Sequence, residues 1–233
     1  MRGRWIFAAA LGALAMACAA GKDEASDSTA APATDTAAGA VSADPDANVG
    51  GTGVPTGYTG RTDQATRNIA DAHYTTSGNT WEVRTGPAHV VWAPKDSASG
   101  NYTARAHFEQ LEAPAHPEAY GIIFGASDLA GAGQKYGYFV VRGTGEYLIR
   151  VREGGETRTV SAWTPSSAIP KQNAQGAATY DLAVQVQGDS VRFVVNGAPV
   201  ATVAKSAVPT DGIAGLRINH NLHVKTGPVV VEK

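Results

Sequence analysis

Two short stretches hold most of the side chains able to do chemistry. The first is Ala115-His116-Pro117-Glu118-Ala119, where an imidazole and a carboxylate stand two residues apart in a loop leading into an apolar run. Such a pair could act as acid and base, and loops on a rigid scaffold are a favoured place for catalytic groups. Pro114 and Pro117 also fit a plain rigid turn at the edge of a sheet. The second stretch is Arg217 followed by Asn219-His220-Asn221-Leu222-His223. Alternation along one strand puts Arg217, Asn219, Asn221 and His223 on one face and His220 on the other. That face could bind sugar hydroxyls, or it could be a solvated strand end. Two histidines with no nearby carboxylate or cysteine do not make a metal set, so no metal site is expected.

Arg142, Arg150 and Arg152 fall on two neighbouring runs with Glu146 and Glu153 close by. Planar guanidinium groups beside tyrosines suit sugar binding by hydrogen bonds and stacking, and equally suit an ion-paired strand surface. Trp81, Trp92 and Trp163 are candidate stacking platforms or core residues. There is no phosphate-binding loop, no Cys/His zinc pattern and no Gly-x-Ser-x-Gly elbow. Of the 19 Lys/Arg and 21 Asp/Glu, four bases and seven acids precede Arg67, which leaves the remainder nearly neutral. Net charge is −2, so nucleic acid is not an expected partner.

The elements that must position these groups read as strands. The runs are Trp81–Arg84, Ala88–Trp92, Tyr102–Glu112, Ala119–Gly125, Tyr136–Arg142, Glu146–Arg152, Thr157–Trp163, Thr179–Gln187, Ser190–Asn196, Pro199–Val203, Gly212–Asn219 and His223–Val231. Tyr180, Leu182, Val184 and Val186 alternate with polar or small residues, as a half-buried strand requires. Gly188-Asp189 and Asn196-Gly197 are hairpin turn signals. Many short antiparallel strands and almost no helix signal predict an all-β, two-sheet antiparallel sandwich over residues 67–233.

Residues 1–17 have the form of an export signal: Arg2 and Arg4, then the apolar stretch Trp5 to Ala17, too short to span a bilayer. The only cysteine follows. Leu14-Ala15-Met16-Ala17-Cys18 resembles a bacterial lipobox, although its leucine lies one place early. The resemblance implies lipidation of Cys18 and a membrane anchor; a plain secretory signal cut near Ala17 or Ala20 is the alternative. Ala19, not Asp, follows Cys18, which favours the outer membrane if the source has one. Residues 18–66 then read as a tether of Ala, Gly, Thr, Ser, Asp and Pro, with too little apolar surface to offset chain entropy.

Tyr120-Gly-Ile-Ile-Phe-Gly125, Tyr136-Gly-Tyr-Phe-Val-Val-Arg142, Gly143-Thr-Gly-Glu-Tyr-Leu-Ile-Arg150, Val191-Arg-Phe-Val-Val-Asn-Gly197 and Asp211-Gly-Ile-Ala-Gly-Leu-Arg217 occur in that order. This series resembles the concanavalin A-like lectin/glucanase superfamily, especially laminin-G-like modules and bacterial 3-keto-disaccharide hydrolase-like domains. The resemblance implies a jelly roll. It also implies a carbohydrate partner, with Arg142, Arg150, Arg217, Asn219, Asn221 and His223 as the ligand-binding set. A hydrolase or lyase acting on disaccharides or other glycans, using His116 and Glu118, is the alternative. A protein-interaction module of the cell envelope is a third. No cofactor is expected. Some laminin-G-like modules bind Ca²⁺, and Ser127-Asp128 offers one carboxylate toward such a site. The carboxylate pattern of the retaining glucanases is missing: Glu109 and Glu112 are three apart, so a strand puts them on opposite faces.

Overall fold

The computed structural model describes residues 50–233; the signal segment, Cys18 and the tether up to residue 49 lie outside the described residues. In chain order the strands are β1 (Thr59–Thr62), β2 (His73–Ser77), β3 (Thr80–Arg84), β4 (His89–Ala98), β5 (Tyr102–Gln110), β6 (Ala119–Ser127), β7 (Lys135–Arg142), β8 (Glu146–Glu153), β9 (Glu156–Pro165), β10 (Ala178–Gln187), β11 (Ser190–Val195), β12 (Ala198–Ala204), β13 (Gly212–Ile218), β14 (His223–Thr226) and β15 (Val230–Glu232). Two antiparallel sheets form a jelly-roll sandwich. One has the order β1-β4-β13-β6-β7-β8-β9; the other runs β12-β11-β10-β5-β14-β3-β2, with β15 also paired to β5.

The inner faces meet in an aromatic core, and the alternation read from the sequence is what builds it. Tyr180, Leu182, Val184 and Val186 of β10 are all buried, as are Phe124, Phe139 and Phe193. The Phe193 ring packs 5.7 Å from Phe124 and 5.2 Å from Phe139, in the tilted geometry aromatic rings prefer. Room for Phe124 exists only because residue 137 is glycine: a Cβ there would lie 2.5 Å from the ring. The β11–β12 hairpin turns on Asn196 (φ 50°) and Gly197 (φ 79°), two left-handed residues in succession.

The seven-stranded sheet also has an apolar outer face. Val90, Trp92, Ile123, Tyr136, Tyr138, Val140 and Leu148 form a second buried cluster there, joined by Leu129 from the loop between β6 and β7. Arg61 of β1 secures this loop by donating to the carbonyls of Leu129 and Gly131. At the far edge, β9 is exposed or half-buried along its whole length, and its register with β8 shifts twice, on either side of Ile149.

Two sequence expectations need correction. The sandwich starts earlier than residue 67, because Thr59–Thr62 pairs with β4 and the Gly53 N–H donates to the Ala72 carbonyl. These residues look like tether because an edge strand can be held largely by backbone bonds. The run His223–Val231 is also two strands, β14 and β15, broken at Gly227-Pro228. A chain beginning at Arg67 would lack β1 and Asp63, the partner of a buried arginine described below. It should lose about 3–5 kcal/mol against a chain beginning at Gly50. Urea unfolding of both would check this, and equal midpoints would show that β1 adds nothing.

Candidate functional site

Antiparallel alternation gathers the polar groups of the seven-stranded sheet at one end. This is where β1, β13, β7 and β9 finish and where β4, β6 and β8 begin. The Asp63 N–H donates to Ala88 and the Asn219 N–H to Ala119, Ala119 stands opposite Arg142, and Arg142 stands opposite Glu146. Strands lie about 4.8 Å apart, so Asp63, Asn219, Arg142 and Glu146 form a spaced row along the sheet end.

The row is anchored by an ion pair. Arg217, on the outer face of β13, donates from Nη1 to Asp63 Oδ1 at 2.9 Å and from Nη2 to Oδ2, a bidentate fork. Its guanidinium lies 5.1 Å from the centre of the Tyr138 ring, and Arg152 Nη1 stands 3.8 Å from Asp63. Burial pushes the Asp63 carboxyl up, but the charge and hydrogen bonds of Arg217, helped by Arg152, outweigh it and hold the pKa below the usual value. Beneath the pair, burial pushes His89 down to about 4. Neutral His89 donates from Nδ1 to the Pro87 carbonyl at 3.0 Å and accepts at Nε2 from the Tyr74 hydroxyl at 2.5 Å. A cleft of about 250 Å³ opens at this point, lined by Asp63, Gln64, Arg67, Pro87, Ala88, Arg217, Asn219 and His220.

Next along the row, Glu118 is the hub. It is buried, and its Oε1 lies 3.0 Å from His116 Nδ1 and 3.0 Å from His220 Nε2. Its Oε2 accepts from Asn219 Nδ2 at 3.0 Å. The expected His116/Glu118 contact is therefore present, with His220 as a third member. The carboxylate that the sequence did not place beside His220 is Glu118, brought there by the β13–β6 pairing. These three residues are the group able to hold a metal ion among the described residues.

At the other end of the row, Arg142 stacks over Trp163, 4.1 Å from the ring centre, and is ion-paired to Glu146 at 2.7 Å. Thr144 also donates to Glu146, and with Arg142 it lowers that carboxyl's pKa despite some desolvation. Arg150 lies deeper on the same face, opposite Tyr138, and its buried Nε has no hydrogen-bond partner among the described residues. Trp163 is half-buried, whereas Trp81 and Trp92 are buried.

The structure therefore brings Arg142, Arg150, Arg217 and Asn219 to one face of one sheet and does not bring His223 there. β13 ends at Ile218, and the chain crosses to the other sheet through Asn219–Leu222, with Asn221 in a left-handed turn (φ 55°). His223 opens β14 and pairs with Glu82 at 2.8 Å and Glu112 at 3.1 Å. Counting alternate residues fails where a chain changes sheets. Asp63 was missed because it sits in a stretch that reads as tether, and the unmatched arginine at 217 was the available signal. The Asp128 carboxylate accepts from the Gly133 N–H at 3.0 Å and so pins its own loop.

No family model and no curated protein matches the chain. Among solved structures, the carbohydrate binding module CBM66 from Bacillus subtilis superposes with a TM-score of 0.52 at 14% identity, over 76% of this chain and 96% of that one. A protein of unknown function with a galectin-like fold, also from Bacillus subtilis, gives 0.52 at 11% identity over 75% and 88%. At such identities the likeness is one of fold: a galectin-like, concanavalin A-like jelly roll.

The pKa directions fix how stability should vary with pH. The folded pKa of His89 is depressed, so its contribution is complete above the unfolded value and fades as pH falls from about 6.5 to 4, by about 3 kcal/mol. The Asp63 pKa is depressed too, so its contribution persists until pH falls below the ordinary carboxylate range. In Asp63→Asn the lower decline should shrink while the upper one remains. Urea midpoints from pH 7 to pH 3 test this, and parallel curves would contradict it.

Proposed function

We propose that the domain binds carbohydrate on the outer face and open end of its seven-stranded sheet. The observation that carries this is the row itself. Arg142 and Asn219, both half-buried, supply hydrogen-bonding groups in fixed positions beside the Arg217–Asp63 pair, and Arg150 adds a half-buried guanidinium on the same face. Half-exposed Trp163 supplies stacking surface beside them. Neutral sugars need this combination of fixed polar groups and flat apolar surface. The likeness in fold to a carbohydrate binding module supports the reading.

The export pattern completes the proposal: the protein is exported and lipid-anchored through Cys18, at the outer membrane of a two-membraned source, with the following residues as a spacer. Cells fed labelled palmitate should label the wild-type protein and not Cys18→Ser, and equal labelling of both would remove the anchor from the proposal.

The binding test is a glycan array probed with the whole protein, with and without Ca²⁺, followed by titration of the best glycan. Arg150→Ala and Trp163→Ala should each weaken binding about tenfold, or ~1.4 kcal/mol. His223→Ala, on the other sheet, should leave it unchanged. Release of products from the bound glycan, abolished in Glu118→Gln, would replace binding with hydrolysis. Blank arrays from folded protein would favour a protein-interaction module.

A further inference from the structure

We infer that His116, Glu118 and His220 form a mononuclear site for a borderline-soft divalent cation, best fitted by Zn²⁺. This inference stands apart from the carbohydrate reading. The two ring nitrogens and the carboxylate come from separate places in the chain, the loop before β6 and the crossover after β13, yet their ligand atoms all lie within 4.8 Å of one another. Both nitrogens face the same oxygen at 3.0 Å. Zinc bound at about 2.0–2.2 Å to nitrogen and oxygen holds tetrahedral ligands roughly 3.4 Å apart. Each nitrogen–oxygen edge would lengthen by only about 0.4 Å to admit the ion, and the two imidazoles, within 4.8 Å of each other, would draw to the same spacing.

Two further features fit a metal better than a surface ion pair. The carboxylate oxygen not facing the imidazoles accepts from Asn219 Nδ2 at 3.0 Å, the outer hydrogen bond that commonly orients a ligating carboxylate. The triad also runs from buried to exposed: Glu118 is 10% exposed at its side chain, His220 26% and His116 46%. Three protein ligands on a buried base leave a fourth position toward solvent, for water or a ligand oxygen. Two imidazoles with one carboxylate select Zn²⁺ and its neighbours in the transition series over Ca²⁺ and Mg²⁺, which prefer all-oxygen sets.

The occupied site would have a structural effect as well, tying the crossover at residues 219–222 to the loop before β6. Two other His–carboxylate groups, His107 with Asp181 and Glu109, and His223 with Glu82 and Glu112, each hold a single histidine. They serve as internal controls.

The test titrates the whole, chelator-stripped protein with Zn²⁺ against a chromophoric chelator, and with Co²⁺ followed by its visible absorption. The expected result is one ion per chain, a cobalt spectrum of low coordination number, and no competition from Ca²⁺ in large excess. Glu118→Gln and His220→Ala should each weaken zinc binding by at least about 100-fold. Asn219→Ala, acting on the carboxylate alone, should weaken it about 10- to 100-fold. His107→Ala and His223→Ala should leave it unchanged. Thermal unfolding without metal separates lost ligands from lost fold. If the more buried variants unfold, His116→Ala, on an exposed loop, carries the test. No zinc uptake by the wild type, or uptake that survives His116→Ala and His220→Ala, would overturn the inference.

Discussion

The arrangement at the open end of the seven-stranded sheet depends on one requirement: the guanidinium of Arg217, nearly withdrawn from water, must have a counter-charge. A buried cation without a partner is costly enough that its surroundings are organised around supplying one. Asp63 supplies it with a two-bond fork and must come from outside the strands flanking β13. That brings β1 onto the edge of β4, and β1 in turn carries Arg61, whose bonds hold the loop that covers the outer apolar cluster. The end of the sheet is shaped as a cleft because a polar pair lies where an apolar sheet would otherwise have closed over.

The same requirement explains which parts were legible in the sequence. Strands that bury one face announce themselves: β10 alternates with a single exception at buried Ala183, and β6 and β7 are apolar nearly throughout because both of their faces are covered. The Asn196-Gly197 turn was readable because two successive left-handed residues admit few alternatives. β1 and β2 carry mostly Thr, Ser, Gly and charged residues, and their pairing is recorded in backbone geometry that composition does not reveal. Asp63 therefore passed as one more acid in a polar stretch.

The site shows the same division. His116 and Glu118 were readable as a pair because they are neighbours in sequence. Their link to His220 arises from the pairing of β6 with β13, a contact between segments about a hundred residues apart that no local pattern encodes. His223 went the other way, its parity correct for a strand that in fact stops at Ile218. Parity is reliable only inside one strand, and a crossover resets it.

One feature of the rim bears on how such molecules behave when crowded. A sheet with open edges offers unpaired backbone to any neighbouring chain, and long flat edges invite strand-to-strand association. β9 is the outer edge of the seven-stranded sheet, and its register slips twice against β8, while Pro165 at its end has no N–H to offer. A second molecule laid along it would find donors and acceptors out of step. Domains packed shoulder to shoulder can thus keep their open sheet ends free without zipping into ribbons.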